Sequence, residues 1–282
     1  MAKKIRTEKD KRTNDILLGP LERPALEYFA KHMPKWVNSD MLTVVGLLGS
    51  VLAGVSYAMV GTGAVKGSPW LFVASLGFII NWFGDSMDGT LARYRNMSRP
   101  NYGYYTDHAI DGITALLIFI GIGLSGMVRF EVALIALSCY LLLMLQVFLK
   151  THATGVFEMT SIKLGPTEVR LIAIILNTVV FFVDVSDPLF AVTIASQLIP
   201  INIGTLVLAI FAVIFLLYYI YQIITTGRQL AYEDGEALKR SRLQEKKTAQ
   251  AERKLSKAQK KAAKNTKGHT KNIQEDSSSV TI

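Results

Sequence analysis

Six apolar stretches divide this chain, each close to the length a helix needs to cross a bilayer. They run over residues 41–60, 70–92, 107–127, 132–151, 171–185 and 201–224. About 20 apolar residues in a helix match the roughly 30 Å of hydrocarbon in a membrane. Lipid offers no water to the backbone, so a lone segment there must close its own hydrogen bonds as a helix. The expected fold class is therefore all-α, a polytopic membrane protein with six transmembrane helices. The fifth stretch is the shortest. Residues 188–200 after it extend that helix, form a surface piece or begin the sixth.

The charge pattern orients these spans. Nine Lys/Arg lie in the first 40 residues and fourteen from Gly227 onward. Arg93, Arg95 and Arg99 fall between spans two and three, and Lys150, Lys163 and Arg170 between spans four and five. The opposite side holds only Lys66 and Arg129. The positive-inside rule then puts both termini on the cytoplasmic side. The first 35 residues are polar and basic, unlike a cleavable signal peptide. Residues 17–36 mix apolar and basic side chains, as an interfacial helix does. A single Cys139 excludes an internal disulfide or a cysteine-rich metal site. The tail from 227 to 282 is basic and partly disordered by composition. Anionic headgroups account for its charge at about 1 kcal/mol per basic residue, so no nucleic-acid partner is inferred.

Within this frame four aspartates stand out: Asp85 and Asp88, then Asp107 and Asp111. A carboxylate near the bilayer centre costs roughly 2.5–3.5 kcal/mol on insertion scales, so four demand a counter-charge. Spacings of three and four place each pair on one helix face. Pro100, Asn101 and Gly103 between them are expected to end one helix and begin the next. Two antiparallel helices then present the carboxylates to one cytoplasmic-side cavity. Two divalent cations roughly 4 Å apart would neutralise them and still take outer ligands from water or phosphate. Gly84, Gly89 and Ala92 lie near this face, and Gly103 and Gly112 beside the second pair. Arg93, one turn past Gly89, either pairs with an aspartate or holds a phosphate.

These residues resemble the signature of the CDP-alcohol phosphotransferases, D-x-x-D-G-x-x-A-R followed by G-x-x-x-D-x-x-x-D. The fixed positions are Asp85, Asp88, Gly89, Ala92 and Arg93, then Gly103, Asp107 and Asp111. The resemblance implies a six-helix membrane catalytic domain over residues 41–226, with a cytoplasmic segment 1–40 before it. It also implies phospholipid biosynthesis: transfer of a substituted phosphate from a CDP-linked donor to an alcohol acceptor, with release of CMP. One of the two substrates is a lipid. Asp85, Asp88, Asp107 and Asp111 are implied ligands of two Mg²⁺ or Mn²⁺ ions, with Asp111 also the general base. Gly89, Ala92, Arg93 and Gly103 are implied nucleotide contacts. The family's Asn-x-hydrophobic-Thr element is echoed at Ser39–Asp40–Met41–Leu42–Thr43, which adds Thr43 to that pocket. Many members also look like dimers through their membrane helices, so the resemblance is compatible with a homodimer here.

Two features bear on the acceptor. Lys150, Lys163 and Arg170 suit a phosphorylated alcohol if they face the cavity. Leu164–Gly165–Pro166–Thr167–Glu168 is similar to an element of choline and ethanolamine phosphotransferases, which suggests an amino-alcohol donor and diacylglycerol. The rival function is a divalent-cation channel or carrier, since intramembrane aspartates also mark ion pathways. That reading expects carboxylates spread through the bilayer depth rather than gathered at one face.

Overall fold

The computed structural model describes residues 18–154, 165–194 and 197–277. The first 17 residues, Lys163 and Leu164 lie outside these. The chain divides into two compact units, Met1–Ile223 and Ile224–Ile282.

The first unit opens with helix α1 (Gly19–His32). Pro20 stands where a helix start loses no hydrogen bond. Leu26 and Ala30, one turn apart, bury against Leu42, Met87 and Leu91, while Leu21 and Tyr28 stay exposed. Helix α2 (Ser39–Val60) begins where the Asn38 side chain accepts the Met41 N–H at 2.8 Å. Such a cap stabilises a helix by about 1 kcal/mol. Helix α3 (Trp70–Tyr94) carries the first aspartate pair, and α4 (Pro100–Leu124) the second. The break between them is residues 95–99, with Asn96 at φ 56°, a left-handed conformation that Asn tolerates. Asn101 and Gly103 were expected to help interrupt the helix. They lie instead in the first turn of α4, because Pro100 is pre-set for a helix start.

Helices α5 (Phe130–Thr154) and α6 (Pro166–Phe182) follow. In the described part of 188–200 the chain forms a surface piece: strands β1 (Pro188–Ile194) and β2 (Gln197–Asn202) pair antiparallel. Pro188 and Pro200 disfavour a helix there, and the intervening residues suit a strand. This hairpin is the departure from an otherwise all-α fold. Helix α7 (Ile203–Ser277) starts after it and supplies the described part of the second unit. Composition pointed to disorder at the Ser-rich end of that tail, and residues 278–282 lie outside the described ones. The structure has it helical through Ser277, since its many Ala, Lys, Gln and Glu residues are good helix formers.

Among the described residues five helices are long and apolar enough to cross a membrane: α2, α3, α4, α5 and the first part of α7. The fifth expected span, residues 171–185, corresponds to α6, whose 17 residues rise only about 26 Å. Its polar contacts are internal: Tyr57 Oη donates to Asn177 Oδ1 at 2.8 Å, and Asn177 Nδ2 donates to Ser75 Oγ at 3.1 Å. All three residues are buried, so α2, α3 and α6 meet around a satisfied polar pin.

The most extensive contact between helices, among the described residues, is α2 on α3. A methyl group on Gly84 would sit 2.3 Å from the Gly46 nitrogen, and one on Gly49 would sit 2.4 Å from the Asn81 nitrogen. Helix α4 approaches α2 in the same way, at Gly54 and Gly121. Between lipid-embedded helices, where burial from water gives no drive, such small residues supply the packing. The obstacle in each case is backbone, which cannot step aside. We expect Gly84→Leu to lower stability by about 3 kcal/mol or more, at the upper end of overpacking costs. Gly112→Ala, with open space around it, should leave the thermal midpoint unchanged. Thermal unfolding in detergent, followed by tryptophan fluorescence, checks both.

Candidate active site

The α2–α3 contact continues to the helix ends that carry the aspartates, where α4 joins. The three helices enclose a cleft of about 250 Å³, its mouth included. Thr43, Gly46 and Leu47 of α2 line it, with Asn81, Asp85 and Asp88 of α3 and Asp107, Ile110, Asp111 and Thr114 of α4. The four aspartates singled out from sequence therefore converge. Helical spacing aimed each pair one way, and the α3–α4 turn set the pairs face to face.

Each carboxylate is held differently. Asp88 accepts the Thr43 hydroxyl at 2.6 Å and the N–H of Gly89. Asp85 Oδ2 accepts from Arg170 Nη2 at 2.7 Å, an ion pair with little solvent exposure. Asp107 stands within hydrogen-bond reach of Asp85, and His108 Nδ1 lies 3.6 Å from its Oδ2. Asp111 feels the charges of both Asp85 and Arg170. Like charges so close repel unless a cation or proton lies between them.

Beneath the carboxylates is a second polar tier that the sequence did not disclose. Asn81 Nδ2 donates to Gly46 O at 3.0 Å and to Ser50 Oγ at 2.9 Å. The Ser50 and Thr114 hydroxyls are 2.9 Å apart. Asn81 lies four residues before Asp85 and Thr114 three after Asp111, so helical spacing alone could have flagged them. Their partner on α2 could not be guessed from it.

The expected nucleotide contacts fare unevenly. Thr43 lines the cleft, with its hydroxyl bonded to Asp88 and to Ser39 O at 3.1 Å. Gly89, Ala92, Arg93 and Gly103 are not among the residues that line it. Gly89 and Ala92 are half-buried, whereas Arg93 and Gly103 are exposed. Arg93 Nη2 donates to Thr90 Oγ1 at 3.2 Å, and its charge acts on Asp88. Gly84 serves helix packing. Arg95 donates to the carbonyls of Met33, Pro34 and Val37, and Arg99 pairs with Asp40, so both brace the surrounding loops.

The Gly165–Glu168 element has a visible architectural task. Glu168, buried, accepts the N–H of Gly165 at 2.9 Å and of Leu18 at 3.0 Å. Glu22 of α1 accepts from Trp82 Nε1 and Ser86 Oγ, each at 2.8 Å, and from Thr167 Oγ1 at 3.2 Å. Two carboxylates thus clamp α1, α3 and α6 together around the turn that bears Asp85.

Two observations test a cation in the cleft. Its donors are all oxygen, the ligand type that Mg²⁺ and Mn²⁺ prefer. Asn81 Oδ1, buried at its floor, has no hydrogen-bond partner. Among the described residues no three His, Cys, Asp or Glu side chains form a ready-made metal cage. The donor chemistry therefore fits, with Arg170 drawn in on Asp85 as a protein counter-charge.

Comparison with known proteins agrees with this picture. Residues 36–224 match the model of the CDP-alcohol phosphatidyltransferase family. The chain is 28% identical over 129 residues to a cholinephosphotransferase 1 of Xenopus laevis, covering 45% of this chain and 31% of that protein. It is 29% identical over 107 residues to a cholinephosphotransferase 1 of Gallus gallus, covering 37% and 32%. The matched part spans about a third of the length of these curated relatives.

Removing the Arg170 charge should expose the repulsion it offsets. Arg170→Gln is expected to lower stability in chelator by about 1–3 kcal/mol, discounted from the fully buried case for partial exposure. Added Mg²⁺ should then raise the variant's thermal midpoint more than the wild type's. An equal rise in both proteins would remove Arg170 from the charge balance of the cleft.

Proposed function

This chain belongs to the CDP-alcohol phosphatidyltransferase family, and from that premise we propose that its cleft transfers a substituted phosphate from a CDP-linked donor to an alcohol, releasing CMP. The observation that carries this reading is the convergence of Asp85, Asp88, Asp107 and Asp111 on one cleft. The relatives are named as cholinephosphotransferases. Together with the Gly-Pro-Thr-Glu element, that favours a CDP-linked amino alcohol as donor and diacylglycerol as acceptor. The other acceptor class, a phosphorylated alcohol, would need a free cationic anchor. Arg170 reaches the cleft, but its guanidinium is committed to Asp85, so the lipid alcohol is preferred. Transport is disfavoured, because the carboxylates gather in one cleft rather than along a path.

The chain's own residues account for positioning and proton movement. Asp85, Asp88, Asp107 and Asp111 would hold two Mg²⁺ or Mn²⁺ ions. Bound there, such ions supply Lewis-acid stabilisation of charge on the diphosphate and the departing CMP. Thr43 and the Gly89 N–H fix Asp88 from two sides, so this ligand is pre-oriented. Asp111 accepts the proton of the attacking hydroxyl as the new oxygen–phosphorus bond forms. The bond to CMP breaks, and CMP leaves with the bridging oxygen and its electron pair. Gly89, Ala92, Arg93 and Gly103 contact the cytidine and phosphates at the mouth, outside the carboxylate tier. The balance of basic residues favours a mouth at the cytoplasmic face, where a lipid and a soluble nucleotide can both arrive. Assembly as a homodimer through the membrane helices belongs to the same proposal.

Purified protein in nanodiscs with Mg²⁺ and diacylglycerol should release CMP from CDP-choline or CDP-ethanolamine. CDP-diacylglycerol paired with polar head alcohols is the contrasting arm, and silence across the whole panel rejects the enzyme. In the same assay Asp111→Asn should cut turnover by about 10²–10⁴-fold, the usual contribution of a general base. Donor affinity, measured by calorimetry, should change far less; parallel losses would make Asp111 a ligand instead.

A further inference from the structure

Asn81 is 4 % exposed and lies at the floor of the cleft between α2 and α3. Its side-chain orientation is fixed by its partners. Gly46 O can only accept, so the amide nitrogen must face it. Ser50 Oγ holds the same nitrogen from the other side. The amide oxygen is thereby turned away from both, and no group in the described structure donates to it. A buried acceptor left in that state costs about 1–3 kcal/mol, and native proteins nearly always supply a partner or an ordered water. Asp85, four residues on, lies one turn along the same helix face and lines the same cleft.

We propose that Asn81 is a fifth member of the cation cleft, its Oδ1 accepting a hydrogen bond from a water in the bound ion's hydration shell. The inference rests on the reading of the cleft as a divalent-cation site. Three considerations select a water over direct ligation or an empty acceptor. Mg²⁺ sheds water reluctantly and keeps several waters when bound by protein. The amide is anchored through its nitrogen to α2, so it acts as a fixed floor rather than a mobile ligand. A neutral oxygen also orients a hydration water without adding charge to four carboxylates. Such outer partners set where the ion sits and are worth roughly 10–100-fold in metal affinity. Ser50 and Thr114 complete the floor by holding the amide and each other.

Full-length protein in nanodiscs, without nucleotide or alcohol, is titrated with Mn²⁺, and free ion is followed by electron paramagnetic resonance. Wild type should bind. Asn81→Leu should weaken binding by roughly 10–100-fold. Ser56→Ala, which removes a buried α2 hydroxyl that donates to Leu52 O outside the cleft, should bind Mn²⁺ as wild type does. Asn81→Ala removes the oxygen without overfilling the floor and should weaken binding by the same roughly 10–100-fold, which serves if the Leu variant fails to fold. Unchanged affinity in Asn81→Leu or Asn81→Ala, or equal weakening in Ser56→Ala, overturns the proposal. Wild type that binds no Mn²⁺ overturns the cation reading itself, a result distinct from binding that ignores residue 81.

Discussion

The backbone-to-backbone meeting of α2 and α3 at Gly46 and Gly84 underlies every other feature of the site. With no side chain between them, the two helices are close enough for Thr43 to reach Asp88 across the interface. The same closeness lets the Asn81 amide bond to the Gly46 carbonyl. Helix α4 is brought in by a second glycine contact on α2, at Gly54 and Gly121, and with it come Asp107 and Asp111. The carboxylates owe their convergence to residues that carry no chemistry. A single added methyl at Gly84 would clash with backbone that other contacts hold in place.

Around that seam, polar groups are arranged in tiers. Deepest is the Tyr57–Asn177–Ser75 pin, fully satisfied and remote from the aspartates. Above it comes the Asn81–Ser50–Thr114 layer, satisfied except for one oxygen. Highest are the four carboxylates with Arg170 among them. Unsatisfied polarity thus rises toward the end of the helices where nucleotide and ion would enter. This gradient is what a membrane enzyme needs: insertion tolerates the lower tiers because their bonds are internal, and reactivity is kept at the top.

Much of this could be read in the sequence, for definite reasons. Apolar length marks a helix that must close its own hydrogen bonds, so five of the six spans were legible, although α4 begins at Pro100 rather than at Asp107 and α6 is too short to count among them. The aspartates were legible because their cost in lipid forbids accident and their spacing fixes a face. Other features hid behind contacts made by residues far apart in the chain. Asn81 reads as an ordinary polar residue until α2 is placed beside it. The Gly165–Glu168 element could be matched to relatives, yet its bonds to Leu18 and Glu22 cross about 150 residues of sequence. The α3–α4 break was placed a few residues late, because Pro100 and Gly103 look like breakers when Pro100 in fact starts a helix. The hairpin at 188–202 was ambiguous because a short apolar run fits a strand or a helix equally well.

The clamp built from Glu22 and Glu168 separates two meanings of a domain boundary. By ancestry the family region begins at residue 36, which leaves α1 outside. By energetics α1 is inside. Cutting the chain there would strand the buried Glu168 carboxylate without its Leu18 partner, and would take from the Trp82 and Ser86 donors the carboxylate that receives them. The matched region is thus smaller than the packed one, and the amino-terminal helix is a keystone for the turn of α3 that carries Asp85.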